Sequence, residues 1–72
     1  MQSQSYQGYQ VWGHSIVEYQ TGLQRERYAA SGTITLRGKL VHASGVLGHF
    51  ESEDDAQLAG LEWARAWVDA HR

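Results

Sequence analysis

The densest run of potential ligands is F-E-S-E-D-D over residues 50–55, where Glu51, Glu53, Asp54 and Asp55 offer four carboxylates within five positions. Such a group could hold a cation or divide the work of acid and base. Its spacing argues for helix punctuation instead. Ser52 followed three positions later by Asp55 has the spacing of a capping box, and Glu53 and Asp54 then fall in a first turn whose backbone dipole favours negative charge. Successive helical residues point about 100° apart, so these acids diverge rather than converge on one ion. A calcium loop would need oxygen ligands at alternating positions around a central glycine, and that pattern is absent.

The four histidines, His14, His42, His49 and His71, are scattered. His42 and His49 have opposite strand parity, and only a cross-strand pair such as His14 with His42 could lie close, so the spacing assembles no zinc site. Ser15 beside His14, and Ser44 two residues after His42, lack an acidic orienter and a glycine-flanked nucleophile elbow. The eight glycines form neither a phosphate loop nor a dinucleotide fingerprint. The chain is accordingly expected not to be an enzyme and to carry no cofactor or metal.

The elements that would position these residues change period along the chain. Residues 1–8, rich in Gln and Ser, are expected to be loose. Residues 9–19, Y-Q-V-W-G-H-S-I-V-E-Y, read as a first strand ending at a turn around Gly22. Val11, Val17 and Tyr19 fall on one side of it and Trp12 and Ile16 on the other, which implies either a second covering layer or a register shift at Gly13.

The second strand, 25–36, alternates most clearly. Tyr28, Ala30, Gly32, Ile34 and Leu36 share one face; Arg25, Arg27, Ser31, Thr33, Thr35 and Arg37 share the other. A short hairpin at Arg37-Gly38-Lys39 leads to a third strand, 40–50. There the apolar residues change parity from Leu40 to Val41 and Leu47, so a bulge is expected near Gly45.

Beyond Phe50 the period becomes helical over 53–70. Ala56, Ala59, Gly60, Trp63, Ala64, Trp67 and Ala70 form the apolar stripe, with Gln57, Glu62, Arg65, Asp69 and Arg72 opposite. Gly60 is expected to let the helix backbone approach the sheet, with Trp63 and Trp67 filling the space beside it. The sequence thus predicts a single α+β domain, a three-stranded antiparallel meander with one C-terminal helix on one face.

Composition bounds the function. A 72-residue chain without cysteine cannot be stapled by disulfides, and domains of this size often gain stability by association. The formal charge is −2. Residues 1–50 carry Arg25, Arg27, Arg37 and Lys39 against Glu18 and Glu26, a net +2, whereas residues 51–72 carry Arg65 and Arg72 against six acids, a net −4. Neither a signal peptide nor an apolar run of about eighteen residues is present, so a soluble cytoplasmic protein without membrane contact is expected.

Two contact surfaces follow from these faces. Trp12, Ile16, Val41 and Leu47 would leave apolar groups outside the helix-covered face and mark an interface, most simply in a homodimer formed through the sheet or its edge. Alternatively, Arg25, Arg27, Ser31, Thr33, Thr35, Arg37 and Lys39 would form a weak DNA-contacting face, since these residue types reach phosphates.

The motifs Y-Q-G-Y at 6–9, F-E-S-E-D-D-A at 50–56 and A-R-A-W-V-D at 64–69 resemble the pattern of a loose group of small bacterial proteins. That pattern reads Y-x-G-Y, a few strands with glycine turns, F-x-S-x-x-x-A, and A-x-x-W-[I/V]-D. The resemblance spans most of the chain and implies the fold and a bacterial or phage origin. It brings no functional residues with it, because that group has no assigned activity. By topology alone the chain is also similar to β-β-β-α domains that read DNA with the sheet, such as integrase arm-binding and plant AP2-type domains.

Overall fold

The computed structural model describes residues 2–20 and 25–71, with side chains for 2–18 and 27–71. The turn expected around Gly22 and the side chains of Tyr19, Arg25 and Arg72 lie outside the described residues. The elements in order are β1 (Gln2–Tyr6), β2 (Tyr9–Gln20), β3 (Arg25–Leu36), β4 (Lys39–Ala43), β5 (Gly48–Phe50) and α1 (Glu53–His71). All strand pairs are antiparallel, in the order β1-β2-β3-β4, with β5 also pairing β3.

The α+β class and the C-terminal helix are present, but three strands are too few. The Q-S-Q-S-Y segment expected to be loose forms β1, folded back on β2 through Gln7-Gly8. Gln7 has φ 52° and Gly8 φ 87°, the signs of a two-residue type I′ connection whose twist matches that of the strands. Arg37-Gly38, with φ 53° and 81°, makes the equivalent turn between β3 and β4.

The expected third strand is divided. Ile34 pairs His42 while Thr35 pairs Leu40, which leaves Val41 as an extra residue, a bulge. Regular pairing stops at Ala43 and resumes at Gly48, with Gly45 at φ 72° in between. The interruption stays tied to β3: Ser44 N–H donates to the Gly32 carbonyl at 2.9 Å, and Leu47 N–H to the Ala30 carbonyl at 2.8 Å. The two-residue turn sets Leu40 beside Thr35 on the uncovered face, opposite to its expected parity, and it is exposed; the bulge then places His42 opposite Ile34.

Gly13 shifts no register; it pairs directly with Gly32 in an unbroken ladder. Its role is clearance. A Cβ on Gly13 would lie 2.0 Å from the Gln57 carbonyl oxygen, and one on Gly60 would lie 2.0 Å from the Ser31 carbonyl oxygen. One on Gly32 would meet the Gly60 carbonyl at 2.5 Å and Trp63 at 2.6 Å. Three glycines from β2, β3 and α1 therefore let helix and sheet touch backbone to backbone.

Around this contact the core is Val11, Ile34, Leu61, Ala64 and Val68, with Tyr6, Tyr9, Trp63 and Trp67 packed against it. The buried helical stripe is Ala56, Gln57, Gly60, Leu61, Ala64 and Val68, rotated from the expected one. Ala70 is exposed, and Gln57, expected on the solvent side, is buried. The close backbone approach causes the rotation by seating the helix on its glycine, so the tryptophans reach outward beside it. Gln57 is satisfied there, its Nε2 donating to Glu53 Oε1 at 3.1 Å and Ser15 Oγ at 3.4 Å.

Candidate functional site: the uncovered face of the sheet

Alternation decides which side chains the helix leaves free. Val11, Gly13, Ala30, Gly32 and Ile34 are buried on the helix side; Trp12, His14, Ile16 and Glu18 of β2, paired with Thr33, Ser31, Ala29 and Arg27 of β3, face the other way. Ser3 of β1 and Ala43 of β4 extend the Trp12–Thr33 row, Ser5 and Leu40 the row through Gln10 and Thr35, and His49 of β5 the Ile16–Ala29 row. This face carries no second layer among the described residues.

Cross-strand polar contacts order it. Trp12 Nε1 donates to Thr35 Oγ1 at 3.2 Å, and His14 Nε2 shares a hydrogen bond of 3.0 Å with Thr33 Oγ1. Both join diagonal neighbours, the reach expected of aromatic side chains on a pleated surface. His49 Nε2 lies 2.8 Å from Glu18 Oε1 at the far end. Burial holds the His14 pKa below 6.5, so the ring is neutral at pH 7.

Of the expected interface residues, Trp12 is half-buried and Ile16 is 51% exposed, while Val41 and Leu47 are exposed at the bulged edge. Leu40 and Val46, 66% and 60% exposed, join them. Leu40 was not singled out in the sequence because a connection over Arg37-Gly38-Lys39 would set it on the face of Leu36, whereas the two-residue turn sets it beside Thr35. Near the two type I′ turns, Trp12, Gln10, Thr35, Ser5 and Arg37 line an open groove of about 410 Å³.

Of the expected DNA-contacting residues, Arg27, Ser31, Thr33 and Thr35 do lie in line on this face. Arg37 occupies the turn, and Lys39 pairs with Leu36, whose parity is that of the helix side. The hairpin thus diverts Lys39 from the row of arginine and hydroxyl groups.

The other candidate chemistry is dispersed. His14 and His42 lie on opposite faces, because His42 pairs Ile34 and stacks on Trp63 and Trp67 at 5.7 and 5.6 Å between ring centroids. His71 stacks on Trp67 at 4.0 Å, and its Nδ1–H donates to the Trp67 carbonyl at 2.8 Å. Among the described residues no group of three or more His, Cys, Asp or Glu side chains could hold a metal ion. Ser52 Oγ accepts the Asp55 N–H at 3.4 Å, and Glu53, Asp54 and Asp55 fill the first turn of α1.

These features define a class, the small α+β domains in which one helix covers one face of an antiparallel sheet and leaves the other open. The family model described as Domain of unknown function (DUF6566) matches residues 1–72, and the chain belongs to that family. Neither the curated proteins nor the solved structures include a match to the chain. Among the described residues no helix is long and apolar enough to cross a membrane.

Proposed function

We propose that this protein is a non-enzymatic interaction module that associates with a second copy through its sheet, on the surface and edges that the helix leaves free. The observation that carries the reading is the half-exposed apolar set, Ile16 with Leu40, Val41, Val46 and Leu47, on or beside a sheet face with no covering layer among the described residues. Exposed apolar groups held by ordered backbone favour association, since covering them removes apolar area from water. The helix is the structural back, and its acidic first turn keeps that side solvated.

Light scattering coupled to size exclusion tests the reading. The expected result is twice the 8.1 kDa chain mass, and a monomer at high micromolar concentration overturns it. A second reading, weak DNA binding, is favoured by the line of Arg27, Ser31, Thr33 and Thr35 on the same face. It requires a duplex-DNA mobility shift that fades with added salt, and no shift at low salt removes it.

A further inference from the structure

We infer that the contact between copies is the free edge of β1, paired antiparallel with the β1 of a second copy about a two-fold axis at Gln4. This rests on the proposal above that two copies associate through the sheet, and it sets their contact at the edge opposite Leu40, Val41, Val46 and Leu47, which stay outside it. The two edges of the sheet differ in kind. On the β4 side the edge starts at Lys39, is bulged at Val41 and is broken between Ala43 and Gly48. A charge, a bulge and an interruption are the devices that stop an edge from accepting another strand. β1 has none of them: it is regular from Gln2 to Tyr6, and Q-S-Q-S-Y contains no charged residue, proline or glycine.

The turn fixes which backbone groups point outward. Tyr6 and Tyr9 flank the two-residue Gln7-Gly8 connection, so they close it as a hydrogen-bonded pair. Alternation along an antiparallel ladder then directs the N–H and C=O of Gln2, Gln4 and Tyr6 toward β2, and those of Ser3 and Ser5 away from it. Ser3 and Ser5 are equidistant from Gln4. A two-fold axis there sets Ser3 opposite the partner's Ser5, Ser5 opposite the partner's Ser3, and Gln4 opposite the partner's Gln4, and all the outward groups of both serines are paired. The facing side chains are neutral amides and hydroxyls, so the pairing buries no charge and opposes no like charges. An interface of this kind is isologous and closes at two copies, because each chain spends its one regular edge.

Two variants and a mass measurement test it. The chain has no cysteine, so Gln4→Cys introduces a single thiol. At a non-hydrogen-bonded antiparallel pair the Cα atoms lie about 4.5 Å apart, within reach of a disulfide. Mild oxidation of the Gln4→Cys chain is expected to give a covalent dimer on a non-reducing gel, while Leu58→Cys on the exposed side of α1 is expected to give none under the same conditions. Ser5→Pro removes an outward donor and leaves the β1–β2 ladder intact, which is where an edge tolerates proline. It is expected to raise the dimer dissociation constant by about tenfold or more, with an unchanged circular dichroism spectrum.

A light-scattering dimer in which neither variant behaves this way overturns edge pairing and leaves self-association standing. A monomer at high micromolar concentration overturns both. If Ser5→Pro loses its folded spectrum, the Gln4→Cys cross-link alone decides.

Discussion

Gly60 illustrates how a single residue here has the opposite value to its ordinary one. In an exposed helix, replacing glycine by alanine gains about 1 kcal/mol. Here a Cβ would stand 2.0 Å from the Ser31 carbonyl oxygen, a backbone atom that cannot move aside. Gly60→Ala is therefore expected to destabilise by about 3 kcal/mol, as forced overpacking does, and urea unfolding followed by tryptophan fluorescence will measure it. His14 contributes a pH dependence of known sign. Its folded pKa is below 6.5, so between that lowered value and 6.5 the unfolded chain binds more protons and stability rises with pH. Stability is expected to fall as the pH is taken from about 7.5 to about 5, and His14→Gln should flatten that slope in parallel denaturant titrations.

At the scale of elements, the hairpins are held by turns whose residues are serviceable rather than ideal. Gln7 and Arg37 both adopt positive φ, where asparagine is better accommodated. Gln7→Asn is expected to raise stability by about 0.5 kcal/mol, read as an increase in the urea midpoint without a change of slope. The new strand is also anchored from its far side, since Tyr6 Oη donates to both carboxylate oxygens of Asp69 at 2.9 Å. Tyr6→Phe is expected to cost about 1 kcal/mol and to increase amide exchange in β1 before the rest of the sheet, which hydrogen-exchange mass spectrometry will detect. The motif Tyr6-Gln7-Gly8-Tyr9 was itself the legible signal for β1. A two-residue x-Gly connection flanked by tyrosines is a hairpin sign, outweighed in the sequence by the polarity of Q-S-Q-S, which is compatible with an edge strand as well as with a loose end.

At the scale of the whole molecule, one helix on a long twisted hairpin gives a body of 44 × 18 × 17 Å. Its two sides have different tolerance. Ile16, half exposed on the uncovered face, contributes little to the fold of the single chain, so Ile16→Thr is expected to change the unfolding free energy of the monomer by less than about 0.5 kcal/mol. Urea unfolding at low micromolar concentration will check it. Such a face is under little constraint from folding, and its apolar residues are the basis of the proposed self-association.

By itself the sequence determined the class of the fold, because period is a local property. Alternation over 25–36 and the helical stripe after Phe50 settle which elements form, and the Ser52 spacing settles where the helix begins. It also determined that the acids of F-E-S-E-D-D diverge along the first helical turn. Tertiary structure decided what depends on neighbours. Only the meeting of three backbones explains Gly13, Gly32 and Gly60 together, and that approach rotates the helix so that Gln57 enters the core and the tryptophans lie beside it. Only the pairing register reveals the two-residue hairpin that turns Leu40 outward and sets Lys39 on the other side from Arg27, and the bulge at Val41 that brings His42 opposite Ile34. A one-residue step in a strand exchanges its faces, so the composition of the uncovered surface is fixed by register, and register is set by contacts far apart in the chain.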